Sequence, residues 1–155
     1  MKIVILAFGK LDQSFYREAA QEYLKRLSRF ADITTIELKE ETKYNLAKNQ
    51  QLNTQLCLDK LKAYSSHEVW FLDLSATCLT SDELANEIGK VQNQTTGKMV
   101  FVIGPSDGFN RQLIPSHYNK VAFGRLTLPH QLCRIILLEQ IYRSFKILGN
   151  ENYHK

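Results

Sequence analysis

The stretch Lys98-Met99-Val100-Phe101-Val102-Ile103-Gly104-Pro105-Ser106-Asp107-Gly108 decides how this chain folds. A short apolar run that stops at a glycine and a proline reads as a buried strand delivering its carboxyl end into a loop. Reading outward, Val69–Leu74 (VWFLDL) is a preceding strand. Between the two, Thr80 or Ser81 followed by Glu83 offers an N-cap with acidic residues in the first turn, and opens a helix that runs to about Gln92. Lys2–Phe8 (KIVILAF) is another buried strand, ending at Gly9, and Asp32–Leu38 (DITTIEL) is a strand rich in β-branched residues. Phe15, Ala19, Tyr23, Leu24 and Leu27 recur at helical spacing and predict a helix over Ser14–Arg29. Leu52, Leu56, Leu58 and Leu61 predict a second helix over Ala47–Tyr64. Downstream come a short helix near Asn110–Ile114, a short strand near Lys120–Phe123, and a long helix over His130–Leu148 stopped by Gly149. Strands alternating with helices imply βαβ units. The expected fold is therefore α/β, a mostly parallel sheet with helices on both faces, in one domain spanning residues 1–155.

Composition supports a globular domain. The chain has 155 residues, 44% hydrophobic and 23% charged, with only 3 Pro and 7 Gly, which excludes disordered, low-complexity and collagen-like material. No apolar run approaches the ~20 residues of a membrane span and no signal peptide is visible. The expectation is a soluble, cytoplasmic protein. Cys57, Cys78 and Cys133 are odd in number, far apart and without a CxxC pair. They argue against a disulfide framework or a structural zinc site and read as reduced packing residues. The net charge is +4. Residues 1–100 carry 13 basic and 13 acidic side chains and residues 101–155 carry 7 and 3, so the whole excess lies in the last third. An anionic partner such as RNA fits that asymmetry, and so does an ordinary solubility charge.

On a parallel sheet, ligands bind beyond the carboxyl ends of the strands. Two loops stand there. The first is Gly104-Pro105-Ser106-Asp107-Gly108, whose glycines allow backbone to approach a ligand closely, although a loop of this composition also serves as a plain turn. Neither GxGxxG nor GxxxxGK[ST] is present, so no dinucleotide site or P-loop is indicated. The second is Phe123-Gly124-Arg125-Leu126-Thr127-Leu128-Pro129-His130, which leads into a helix start that suits an anionic or polar group. His130 fits an acid–base role near neutral pH, or a capping and packing role.

The last helix carries Ile135-Ile136-Leu137-Leu138, four apolar residues in a row that point around most of its circumference. It either lies deep in the domain or buries its outer face against a second subunit. Arg134, Arg143 and Lys146 interrupt the apolar surface, and Glu139 is spaced to pair with Arg143. The tail, Glu151-Asn152-Tyr153-His154-Lys155, joins an aromatic ring to basic groups, a set that stacks on bases and touches phosphate when it is not simply frayed.

Taken together, FVIGPSDG, LTLPHQLCR, EQIYRSFKI and the terminal YHK, with KIVILAFGK and Tyr23-Leu24-Lys25-Arg26-Leu27, resemble the RlmH family, also called YbeA, over essentially the whole chain. The resemblance implies a SPOUT-class methyltransferase with a carboxyl-terminal trefoil knot, a departure from the usual unknotted topology. It implies a homodimer with its sites near the subunit interface, acting on the assembled ribosome. The implied reaction moves a methyl group from S-adenosylmethionine to N3 of a pseudouridine in large-subunit (23S) ribosomal RNA, without a metal. Cofactor contacts carried over from the family fall on Leu72, Gly104, Phe123, Gly124, Arg125, Leu126, Thr127 and Leu128.

The implied chemistry asks for a proton acceptor or anion stabiliser at the imide and for close alignment of the reacting atoms. The expectation is that His130 or His154 assists proton removal, Arg134 or Arg143 steadies negative charge, and Tyr153 stacks on the target base, with one subunit's tail completing the other's pocket. One departure stands out. The family shows two adjacent glycines after the fourth strand, where this chain has Gly104-Pro105. If the second glycine needs φ > 0 or donates its N–H, cofactor binding weakens and a catalytically silent, ribosome-binding relative results. A flavodoxin-like small-molecule domain is the other class that an α/β pattern alone allows.

Overall fold

The computed structural model describes residues 1–151 and Tyr153. Apolar side chains on alternate faces build a sheet that is buried from both sides. In β1 (Lys2–Phe8), Ile3, Ile5 and Ala7 face one layer and Val4, Leu6 and Phe8 the other. In β4 (Lys98–Ile103), Met99, Phe101 and Ile103 alternate in the same way with Val100 and Val102. Together with β2 (Asp32–Leu38), β3 (Glu68–Leu72) and the short β5 (Asn119–Val121) they form one five-stranded, wholly parallel sheet in the order β2-β1-β4-β3-β5.

Three helices cover one face. These are α1 (Ser14–Leu27), α3 (Ser81–Gln94) and α4 (His130–Leu148), with Leu27, Leu84, Ile88, Leu137, Leu138, Ile141 and Phe145 filling the layer. The other face is covered by α2 (Leu46–Leu61) through Cys57 and Leu61, with Ile114 beside them. The α/β expectation with helices on both faces holds. α4 packs against both α1 and α3, which explains its broad apolar circumference. Leu137 and Leu138 are buried, while Leu132, Ile135 and Ile136 stay half-buried. Thr80 caps α3 in a reciprocal box with Glu83, as its spacing predicts.

α2 forms as expected, and the face it buries is largely polar. Its buried residues are Asn49, Asn53, Thr54, Cys57 and Leu61, whereas Leu56 is exposed and Leu52 half-buried. The amino-terminal half of this helix is anchored by hydrogen bonds to loops, which a count of leucines does not reveal. A second unanticipated feature lies at the sheet edge. Val121 faces β3, its carbonyl accepting from Asp73 N–H at 3.0 Å. Ala122 faces the opposite way and donates its N–H to the Thr77 carbonyl at 3.2 Å, bridging Cys78 in parallel. The segment Val121–Ala122 is thus held on both flanks by the stretch that leaves β3.

Candidate functional site

Beyond the carboxyl ends of β3, β4 and β5 lies a cleft of about 1010 Å³. Its walls combine the two loops singled out in the sequence. Leu72, Gly104, Phe123, Gly124, Leu126, Thr127, Leu128 and His130 all line it. Of the positions carried over for a cofactor, only Arg125 stands off the wall. Its side chain is exposed outside the cleft, although its backbone belongs to the lining loop.

The Gly104–Gly108 loop is held by α2. Asn49, only 4% exposed, donates from Nδ2 to the Tyr44 carbonyl and to Asp107 Oδ2, both at 3.0 Å, and accepts from Tyr44 N–H. Gln50 Nε2 donates to the Asp107 carbonyl at 2.7 Å, and Thr54 Oγ accepts from Asn110 N–H at 2.9 Å. Ser106 donates both its N–H and its hydroxyl to the Glu40 carboxylate. A buried polar face on a helix is costly unless its groups are paired, and here the pairing fixes the loop. Pro105 fits this arrangement. It is buried, its carbonyl accepts from Gly108 N–H at 3.0 Å, and among the described residues the single non-glycine with positive φ is Asn150. The loop of this chain therefore closes with proline at this position and without a positive φ there. Phe109 lies against Gly104 and packs edge-on to Phe8 and Phe71, closing the cleft floor.

The second loop is open. Gly124 has φ +138°, and a Cβ added there would meet nothing within 4 Å. Leu126 is 78% exposed. The loop ends at Pro129, which precedes α4 with extended ψ, and His130 is the first helical residue. The His130 ring lies directly over Gly9, so close that a Cβ on Gly9 would sit 2.9 Å from Nε2. Gly9 also has φ +78°, so close approach and backbone both call for glycine.

Arg134 does not reach the cleft. Its side chain is 3% exposed and donates to Glu37 at 2.6 Å and to the Gly9 carbonyl at 2.9 Å, while Nε has no partner. Asp12 and Gln131 exchange two further hydrogen bonds between the same loop and the same helix end. The sequence reading has either Arg134 or Arg143 steadying negative charge on the base or backbone. Within this chain Arg134 anchors the β1–α1 loop to α4, with both ends of its guanidinium engaged.

Arg143 and Tyr153 lie elsewhere in the chain. Arg143 comes thirteen residues after His130 on α4, about 20 Å along the axis at 1.5 Å per residue. It pairs with Glu139 at 2.9 Å and stands 4.9 Å over the Tyr153 ring. Tyr153 donates its hydroxyl to Glu139 at 3.3 Å and meets Tyr142 edge-on. Burial first, and then the Glu139 carboxylate, hold its phenol above the ordinary value. His154 lies outside the described residues. One chain therefore joins His130 to the cleft and keeps Arg143 and Tyr153 at the far end of α4.

The sequence reading missed Asp73 and Arg111, which line the same cleft and form a 2.8 Å ion pair across it. Burial opposes ionisation of Asp73. The N–H and hydroxyl of Ser75 and the charges of Arg111 and Lys120 outweigh it, so the carboxyl titrates below its ordinary 3.8. The position of Asp73, directly after a strand's carboxyl end, is the signal that marks it. Among the described residues no cluster of His, Cys, Asp or Glu is arranged to hold a metal, and no helix is long and apolar enough to cross a membrane.

Comparison with known proteins places the chain in a family. Residues 1–154 match the family described as predicted SPOUT methyltransferase, which gives the class. Over the full length of both chains the sequence is 48% identical to the ribosomal RNA large subunit methyltransferase H of Mesoplasma florum. It is 47% identical to that of Mycoplasma capricolum and 46% to that of Mycoplasma mycoides, again over the whole of each chain. The chain belongs to this family of SPOUT methyltransferases, ribosomal RNA large subunit methyltransferase H.

Proposed function

We propose that this methyltransferase uses S-adenosylmethionine to methylate N3 of a pseudouridine in large-subunit ribosomal RNA on the assembled ribosome. The observation that carries the reading is the cleft. Its wall brings together, from three separate strand ends, Leu72, Gly104 and most of the Phe123–Leu128 run. The residues suit such a cofactor: apolar walls from Phe71, Leu72, Ile103 and Leu128, open backbone at Gly124, and an ionised carboxylate at Asp73. When bound, S-adenosylmethionine supplies a methyl group already activated by its positive sulfur.

The chain's own groups then hold the base and its proton. His130 at the cleft, or His154 in the tail, takes the proton from N3. Arg143 steadies the negative charge left on the imide, and Tyr153 stacks on the base. Arg134 contributes indirectly, by holding the start of α4 against Gly9. In a homodimer the tail of one subunit completes the cleft of its partner, which answers the separation of about 20 Å along α4. The half-buried Leu132 and Ile136 supply apolar surface for that contact. The grip on Val121–Ala122 by the stretch leaving β3 supports a carboxyl-terminal trefoil knot. A ribosomal substrate makes the cytoplasm the working compartment.

Calorimetric titration with S-adenosylmethionine, with S-adenosylhomocysteine competing, is expected to show one saturable site per chain. Purified ribosomes lacking the modification should then accept a labelled methyl group. Absence of saturable heat would refute the cofactor assignment, and equal transfer to RNA containing uridine in place of pseudouridine would refute the base assignment.

A further inference from the structure

Asp73 is a residue whose hydrogen-bonding groups can be fully accounted for. Its N–H donates to the Val121 carbonyl at 3.0 Å, and its own carbonyl accepts from Ala76 N–H at 2.9 Å. Three donors converge on one carboxylate oxygen. Ser75 N–H and Ser75 Oγ reach Oδ1 at 2.9 Å each, and Arg111 reaches the same oxygen at 2.8 Å. Among the described residues nothing donates to Oδ2. An ionised carboxylate accepts on both oxygens, about four sites in all, so Oδ2 is left over. The side chain is only 11% exposed and lies in the wall of the cleft. It is held at both backbone ends and at one oxygen, and so presents the other oxygen in a fixed place. A pre-organised acceptor of this kind costs little ordering entropy when a ligand donates to it.

We propose that Asp73 is the ribose-recognising residue of the cleft, its Oδ2 accepting from the vicinal hydroxyls of the bound nucleoside. The proposal rests on the cofactor reading above and adds a residue and a subsite to it. The choice of a diol follows from charge. Arg111 already neutralises the carboxylate through Oδ1, so the remaining oxygen gains little from a second cation and suits neutral O–H donors. An acidic side chain beyond a strand's carboxyl end meets ribose hydroxyls in nucleotide-binding α/β folds for the same reason of placement. Ser75 and Arg111 are then positioning residues that act through Asp73.

The test is a set of calorimetric titrations with three probes. S-adenosylhomocysteine carries both the diol and an ammonium. Its 2′,3′-dideoxy form keeps the ammonium alone, and 5′-methylthioadenosine keeps the diol alone. Asp73→Asn should weaken S-adenosylhomocysteine and 5′-methylthioadenosine about tenfold, the loss of one charge-assisted hydrogen bond. The dideoxy probe should change less than about threefold. Asp73→Glu, which keeps the charge but displaces it by a methylene, should show the same selectivity and serves if the Asn variant does not fold. Arg111→Gln, with Asp73 still held by Ser75, should retain the preference for ribose. Equal losses for all three probes would overturn the proposal, as would a loss confined to the two probes with an ammonium. A wild-type protein that gives no heat with S-adenosylhomocysteine would overturn the underlying cofactor reading, and would do so before any variant is examined.

Discussion

The pair between Arg134 and Glu37 is open to water on one side only, the arginine side chain being 3% exposed and the glutamate 34%. That asymmetry predicts unequal costs. Glu37→Leu strands a buried guanidinium with the Gly9 carbonyl as its sole remaining acceptor. Breaking a buried pair in this way costs roughly 3–5 kcal/mol, and the partial hydration of this edge puts the expected value at about 3 kcal/mol. Arg134→Met leaves a carboxylate that can turn to solvent, and its main penalty is the unpaired Gly9 carbonyl, about 2 kcal/mol. The double variant strands no charge and should cost about 2 kcal/mol, so the two changes are coupled by about 3 kcal/mol. For a chain of this size each kcal/mol moves Tm by roughly 2–4 °C, so Glu37→Leu should lower it by about 6–12 °C. Urea unfolding at fixed protein concentration, followed by far-UV circular dichroism, measures all four corners of the cycle. A double variant that costs about 5 kcal/mol, the plain sum of the singles, would refute the reasoning.

Other consequences are open to direct measurement. Burial pushes the Cys57 thiol up to about 12, so a maleimide at pH 8 should label exposed Cys78 first and leave Cys57 unmodified until the chain is unfolded. Gly124→Ala meets no atom but must keep φ +138°, which should cost roughly 1–3 kcal/mol by urea unfolding, all of it backbone strain. Asn49→Ala removes three hydrogen bonds that hold the Tyr44 and Asp107 segments and should cost about 2 kcal/mol, with a severalfold weaker S-adenosylhomocysteine titration because the Gly104–Gly108 loop loosens. Asp73 titrates below its ordinary value in the folded chain. Its share of stability is therefore present above pH ~4 and lost as pH falls through the folded value. Asp73→Asn should flatten the acid limb of the urea midpoint measured from pH 6 downward.

The strands and helices were legible because each signal is local. Lys98–Ile103 and His130–Leu148 form with the expected bounds, since a glycine or proline closes each run. The inner face of α2 was not legible. Its buried Asn49 and Thr54 bond a loop more than fifty residues away in sequence and Asn53 one that precedes the helix, and no periodicity records such bonds. The cleft was half legible. Two loops stood out by composition, but the roles expected of Arg134, Arg143 and Tyr153 came from the chemistry that the family resemblance implies, which carries no distances within one chain. Helix rise then separates them, and the Glu37 carboxylate claims one of them. Asp73 passed unnoticed because VWFLDL reads as one strand through Leu74, whereas β3 ends at Leu72 and leaves Asp73 in the loop beyond it.

The grip on Val121–Ala122 also constrains the order in which the chain can come together. β5 makes backbone bonds to β3 on one side and to Thr77 on the other, so it is seated only when both flanks are present. Both flanks precede β5 in the chain, so β5 adds to a sheet edge that is already made. The sheet edge that β5 would otherwise expose is capped by Cys78, which removes a template for pairing with other chains. During synthesis the amino-terminal strands emerge first, and β3 waits with the edge that β5 later takes unpaired. The interval before α4 arrives is when this protein is most exposed to aggregation.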